Sequence, residues 1–218
     1  MSIELKKRIL TSFFLFILLT LMYFYSFILI ISLIIISIIT WIEFYALISK
    51  IFLKNDYKDR ILRVVFKATS LLYLSTITFF IIMNRDSDLG IFIAYSILVS
   101  IASDIGGLVV GRSLKGKKLT KISPKKTISG SIGSFIFSLS LIPIFIEIIL
   151  VESFLTLLFI TLIISLTSQL GDLFISLLKR RAKVKDTSDI LPGHGGFLDR
   201  IDGIIFAIPI GILLFSIK

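Results

Sequence analysis

Thirty-three consecutive residues, Leu10 to Ile42, carry no charged side chain. A helix crosses the hydrocarbon core of a bilayer with only about 20 apolar residues. A run this long is not the buried helix of a soluble domain, and it predicts two successive crossings. The break is placed near Tyr23-Phe24-Tyr25-Ser26, because aromatic residues gather at headgroup level. The rest of the chain agrees: 56% of its 218 residues are hydrophobic, against roughly 45–50% in soluble domains, and the mean hydropathy is +1.02. The opening Met-Ser-Ile-Glu-Leu-Lys-Lys-Arg superficially resembles a signal peptide. The apolar run outlasts a signal sequence, however, and no small-x-small cleavage site precedes another span, so it reads as a retained first span.

Seven hydrophobic segments follow by the same reasoning: Ile9–Tyr25, Ser26–Ile48, Val64–Met83, Leu89–Val110, Ile128–Leu150, Phe154–Leu178 and Ile201–Ile217. Seven crossings put alternate loops on one face. The N-terminus, Ser49–Arg63 with Lys67, Gly111–Thr127 and Lys179–Arg200 then hold 22 of the 24 Lys and Arg residues, leaving Arg85 and Lys218 opposite. Positive loops stay cytoplasmic, so the N-terminus is expected inside and the C-terminus outside. The net charge of +10 is thereby explained as topogenic and calls for no nucleic acid. With no cysteine, the chain has no disulfide, thiolate metal site or cysteine nucleophile. The expected fold is all-α and polytopic, with a polar cavity facing the cytoplasm. Residues 1–88 are expected to form anchoring spans, and residues 89–218 a catalytic region with basic loops at 111–127 and 179–200.

Two aspartates interrupt this apolar background. Asp104 lies eight residues before Arg112 and Asp172 seven before Lys179, so each sits roughly 10 Å inside the end of its helix. A carboxylate at such depth costs about 2.5–3.5 kcal/mol on insertion scales unless a polar cavity or a cation receives it. It is either a packing group paired with a neighbouring cation or donor, or a ligand of metal or substrate. Small neighbours (Ser103, Gly106, Gly107, Gly171) leave room for close helices or for a ligand. In the third loop, Ser123-Pro-Lys125-Lys126-Thr127 precedes a helix start, and hydroxyls, ammonium groups and helix N–H groups together suit a phosphate.

The fourth loop is the most informative. It crowds acids, six Lys and Arg residues and the only histidine, within Pro192-Gly-His194-Gly195-Gly196. Asp199 and Asp202 follow at i, i+3 and are expected to share one helix face. Turn capping explains the histidine alone, and a helix N-terminus explains the acids alone. Neither explains the crowd, which suits a metal held by carboxylates and phosphates held by Lys and Arg.

The run Ser176-x-x-Lys179-Arg180-x4-Lys185-Asp186-x5-Pro192-Gly-His194-Gly195-Gly196-x-x-Asp199-Arg200-x-Asp202 resembles the signature of the phosphatidate cytidylyltransferase (CDP-diacylglycerol synthase) family. Ser103-Asp104, Gly111-Arg112, Ser123-Pro-Lys-Lys-Thr127 and Trp41-x-Glu43 are similar to that family as well. The resemblance implies cytidylyl transfer from CTP to phosphatidate with Mg²⁺ required. It maps the family's metal-chelating aspartates onto Asp172 and Asp199, and leaves Asp104 to position CTP or a second cation. Lys185, His194 and Arg200 are expected on the phosphates of CTP and the leaving pyrophosphate. The remaining substrate-binding candidates are Arg112, Ser123, Lys125, Lys126 and Thr127 in the third loop, and Lys179, Arg180, Asp186, Gly195, Gly196 and Asp202 in the signature. The implied partners are CTP, phosphatidate from the bilayer and membrane lipids, with a homodimer left open. The expected location is the bacterial inner (plasma) membrane, with the active site facing the cytoplasm. Rival readings are a CTP-dependent polyprenol or lipid kinase, and a membrane transporter.

Overall fold

A computed structural model describes residues 3–53, 56–149 and 153–217, with side chains from residue 9 onward. Lys54, Glu152 and Lys218, and the side chains of Lys6, Lys7 and Arg8, lie outside the described residues. The described chain is helical: α1 (Ile3–Phe24), α2 (Ser26–Ile51), α3 (Tyr57–Asn84), α4 (Asp88–Leu114), α5 (Ile128–Leu139), α6 (Ile142–Phe145), α7 (Phe154–Arg181), α8 (Leu198–Ile201) and α9 (Ile204–Ser216). Two isolated antiparallel bridges, Lys118 with Thr127 and Leu191 with Gly195, are the β-pairings among the described residues.

The first apolar run does break within the aromatic cluster. α1 stops at Phe24, Tyr25 is extended (φ −121°, ψ 104°), and α2 starts at Ser26. Among the described residues, five helices are long and apolar enough to cross a membrane: α2, α3, α4, the α5–α6 stretch and α7; the apolar part of α1, Ile9–Phe24, is shorter. This is an all-helical, polytopic integral membrane protein. The fifth expected span is not one straight helix. Pro143 lacks an N–H, and its ring crowds the carbonyl of residue i−4, Leu139, where α5 ends. The last span also differs from expectation. α9 begins at Ile204, and its 13 residues rise about 20 Å, short of a core about 30 Å thick.

The chain divides into two compact units. One comprises Met1–Ile82 with Leu178–Ile201, the other Met83–Leu177 with Asp202–Lys218. In the second unit α4 and α5 pack backbone against backbone. A Cβ on Gly106 would meet the Gly133 carbonyl oxygen at 2.3 Å, and one on Gly133 would meet Val110 Cβ at 2.4 Å. Small residues allow such contact where lipid supplies no hydrophobic drive between helices. Tyr95, Val99, Ile142, Leu157, Ile164, Ala207 and Phe215 form the apolar core beside this seam. Buried hydroxyls tie the same helices together: Tyr95 Oη lies 2.6 Å from Thr161 Oγ1, and Ser100 Oγ 2.6 Å from Ser168 Oγ. Ser138 Oγ donates to Ser165 Oγ at 3.1 Å, which donates to Ser103 Oγ at 3.2 Å.

Candidate active site

In the second unit, α4 delivers Asp104 and, in its last turn, Arg112, and α7 delivers Gln169 and Asp172. Between α4 and α5 the basic loop folds back on itself. Leu119 N donates to Lys126 O (2.8 Å), Ile128 N to Lys117 O (2.9 Å) and Lys126 N to Ser123 O (3.0 Å). Lys115 takes a left-handed conformation (φ 43°) where α4 ends. Thr127 then caps α5, its Oγ1 accepting from Gly130 N at 3.0 Å, which satisfies one of the free amides of the first turn.

These elements enclose a cavity of about 430 Å³ lined by Asp104, Arg112, Ser123, Lys125, Lys126, Thr127 and Asp172, together with Ser131 and Gln169. Seven candidates from the sequence thus meet in one place. Lys126 Nζ pairs with Asp172 Oδ2, and both side chains keep about a quarter of their surface exposed. Ser176 Oγ donates a long hydrogen bond to Asp172 Oδ1, 3.3 Å. Ser131 Oγ donates to Gln169 Oε1 at 2.6 Å, while Gln169 Nε2 is buried with no hydrogen-bond partner among the described residues. A buried donor left so calls for a partner.

The signature loop belongs to the first unit. Lys179, in the last turn of α7, donates to Asp199 Oδ1 at 2.6 Å. Asp199 Oδ2 accepts from Thr187 N (2.8 Å), Thr187 Oγ1 (2.9 Å) and Gly196 N (3.1 Å). Burial alone would raise this carboxyl's pKa; Lys179 and the two amides outweigh it and hold Asp199 below its ordinary value. Gly193 (φ 79°) and Gly195 (φ 83°) are left-handed, a conformation a side chain would strain. Leu191 N donates to Gly195 O (2.9 Å), and the Arg200 guanidinium donates to His194 O through Nε (2.9 Å) and Nη2. His194 Nδ1 is buried without a partner among the described residues. Arg180, Lys185 and Asp186 are exposed, with Lys185 Nζ 4.0 Å from Asp186 Oδ2.

Asp199 and Asp202 do not share a helix face. α8 ends at Ile201, and Asp202 sits in the turn before α9, its Oδ1 accepting from Gly203 N at 3.0 Å. An aspartate that bonds the next amide favours a turn over a continued helix.

Among the described residues no three of His, Cys, Asp or Glu converge as a metal cage. Mg²⁺ does not need one, since it is held by one or two carboxylates with waters and substrate phosphates. The cavity fits that chemistry, with Asp104 and Asp172 both on its wall. Asp199 differs, because both its oxygens already carry protein donors and its side chain is 7% exposed.

Glu43 was not among the site candidates, although it contacts the signature loop directly. Its Oε1 accepts from Ser188 Oγ and Phe197 N, its Oε2 from Thr187 Oγ1 and Leu198 N. The available signal was an acid inside an otherwise apolar span. Gln169 was also missed. It lies three residues before Asp172 on the same helix face.

The sequence model described as "Cytidylyltransferase family" matches residues 2–218. The phosphatidate cytidylyltransferase of Bacillus subtilis (strain 168) is 45% identical over 120 residues, 54% of this chain and 45% of that protein. That of Rickettsia prowazekii (strain Madrid E) is 40% identical over 139 residues, 60% of each chain. That of Helicobacter pylori (strain J99) is 36% identical over 143 residues, 64% of this chain and 53% of its own. The chain spans about half the length of the curated relatives it matches. The family that the motifs resembled is thus the one that whole-chain comparison returns: this chain belongs to the cytidylyltransferase family.

Proposed function

We propose that this chain transfers the cytidylyl group of CTP to phosphatidate, forming CDP-diacylglycerol and pyrophosphate. The observation that carries the reading is the convergence of Asp104, Arg112, Ser123, Lys125, Lys126, Thr127 and Asp172 on one cavity. The phosphatidate cytidylyltransferases to which the chain is similar support it.

A phosphate monoester is already ionised near neutral pH, so its oxygen needs no strong base. That oxygen attacks the α-phosphorus, the bond to the bridging β-oxygen breaks, and pyrophosphate departs with the bonding electrons. The barrier is electrostatic, since two anions must meet. Fixed cations and hydrogen-bond donors lower it most when they are already in place. Arg112, Lys125 and Lys126 supply positive charge around the cavity, and Ser123 and Thr127 supply hydroxyls. The partly exposed Lys126 can exchange Asp172 for a substrate phosphate, which frees the carboxylate. Mg²⁺, when bound, supplies charge to the phosphate oxygens, with Asp172 and Asp199 as its proposed carboxylate ligands and Asp104 holding CTP or a second cation. Asp199 can serve so only by giving up Lys179 at Oδ1. Lys185, His194 and Arg200 are the proposed partners of the CTP phosphates and the leaving pyrophosphate. Lys179, Arg180, Asp186, Gly195, Gly196 and Asp202 complete the proposed substrate contacts. Seven crossings with the N-terminus inside, in a bacterial inner membrane, would put both basic loops in the cytoplasm beside CTP, with residues 1–88 as the anchoring part and 89–218 as the catalytic part.

Labelled CTP tests this with membranes containing the chain. Label in the α-phosphate should enter phosphatidate-derived lipid and label in the γ-phosphate should appear in pyrophosphate. Lipid labelled from the γ-phosphate would show a kinase instead, and no transfer from either position would favour a transporter.

A further inference from the structure

Glu43 is the only acid in α2, and its residue is 2% exposed in a helix otherwise apolar around it. Burying a carboxylate costs several kcal/mol unless donors replace its water. Here each oxygen receives two. Ser188 Oγ (2.5 Å) and Phe197 N (3.1 Å) reach Oε1, while Thr187 Oγ1 (3.0 Å) and Leu198 N (2.8 Å) reach Oε2. The donors come from two places, residues 187–188 and 197–198, which bracket the Pro192–Gly196 turn. One side chain therefore fixes both ends of the glycine-histidine segment. The fit is close: a Cβ on Gly196 would stand 2.5 and 2.6 Å from the Glu43 oxygens and 2.0 Å from Thr187 Oγ1. Thr187 Oγ1 also lies 2.9 Å from Asp199 Oδ2, so its single proton is shared between the two carboxylates. Thr11 of α1 adds a further hold, donating to Pro192 O at 3.0 Å.

We infer that Glu43 is a positioning residue for cytidylyl transfer, setting the signature loop through Thr187, Ser188 and the Phe197–Leu198 amides so that Asp199, His194 and Arg200 are held in register. The inference rests on the proposed activity, and it gives the second helix a part in the site rather than anchorage alone.

The test uses the full chain in detergent, as Glu43→Gln, Thr187→Val and the double variant. Glutamine keeps the size of the side chain but puts an NH2 donor against the loop's own donors. Three readouts are taken: tryptic cleavage at Lys183 and Lys185 within the loop, cleavage at Lys117 and Lys118 in the other unit as an internal control, and the kcat and KM of α-labelled transfer. Glu43→Gln should speed loop cleavage while the control sites keep the wild-type rate. It should cut kcat roughly 10–100-fold, the usual range for an outer-shell support, with the KM for phosphatidate unchanged. The double variant should be no worse than Glu43→Gln, because the two groups act as a unit. A glutamate that only stabilises the fold would raise cleavage at both loops together. That result, wild-type cleavage and turnover, or strictly additive losses would each overturn the inference. If Glu43→Gln fails to accumulate, Thr187→Val alone must show the selective loop cleavage. If the wild type transfers no cytidylyl label, the proposed activity fails while the protease comparison still decides the role of Glu43.

Discussion

Two lysine–aspartate pairs sit in the two units of this protein and differ in what surrounds them. Lys126–Asp172 lies on the cavity wall with 26% and 25% of its side-chain surface exposed, and one long serine contact besides. Lys179–Asp199 has 12% and 7% exposed and three further donors on the carboxylate. A half-wet pair is worth about 0–1 kcal/mol and exchanges partners easily. Breaking a buried pair leaves an uncompensated charge and costs about 3–5 kcal/mol. The same two residue types therefore make a replaceable contact at the cavity and a fastened one in the loop.

The largest expected effect is on turnover. Asp172→Asn and Asp199→Asn should each reduce α-label transfer below about a tenth of wild type at saturating Mg²⁺, since Mg²⁺ prefers carboxylate oxygen to amide. Both proteins should still insert in the membrane. Activity above that level in Asp172→Asn would detach the cavity pair from the chemistry.

His194 should show a graded loss. Its Nδ1 has no partner among the described residues, which suits donation to a phosphate oxygen. His194→Gln retains a donor and should lose less rate than His194→Ala. Equal losses would assign the histidine to turn geometry alone.

Acid probes the loop pair more gently. The folded pKa of Asp199 is depressed. Its stabilisation is therefore fully present above the ordinary aspartate value of about 3.9 and is lost as pH falls through the lower folded value. Hydrogen exchange at the Thr187 and Gly196 amides, corrected for intrinsic rate, should stay slow from pH 7 to pH 5 and quicken only below pH 4. Asp199→Asn should show no such acid limb. Smallest of all, Lys50→Gln and Lys58→Gln should leave the KM for CTP unchanged, as topogenic charges; a rise would point to general attraction of anionic lipid and nucleotide.

Much of this arrangement was readable in the sequence, for identifiable reasons. An uncharged run fixes helices by solvent alone, and a break among aromatics placed the α1–α2 boundary at Tyr25. The cavity residues were readable because Asp104 and Asp172 are costly where they stand and Ser123–Thr127 precedes a helix start. The fate of each carboxylate was not. Whether Asp199 faces solvent or four donors depends on Lys179, Thr187 and Gly196 folding around it, and the last two follow a loop path that no periodicity encodes. The partners of Glu43 were hidden likewise, since they lie 144 to 155 residues away. The break after Ile201 followed from a side chain bonding the next amide, a local competition that the i, i+3 spacing of Asp199 and Asp202 does not reveal.

The contrast between the pairs is tested most directly by thermal unfolding of Asp172→Asn and Asp199→Asn in the same detergent. Asp199→Asn should lose about 3–5 kcal/mol, since Lys179 is left buried and unpaired, and Asp172→Asn no more than about 1 kcal/mol. Equal losses, or a larger loss at Asp172, would contradict the contrast between a replaceable pair on the cavity wall and a fastened pair in the loop.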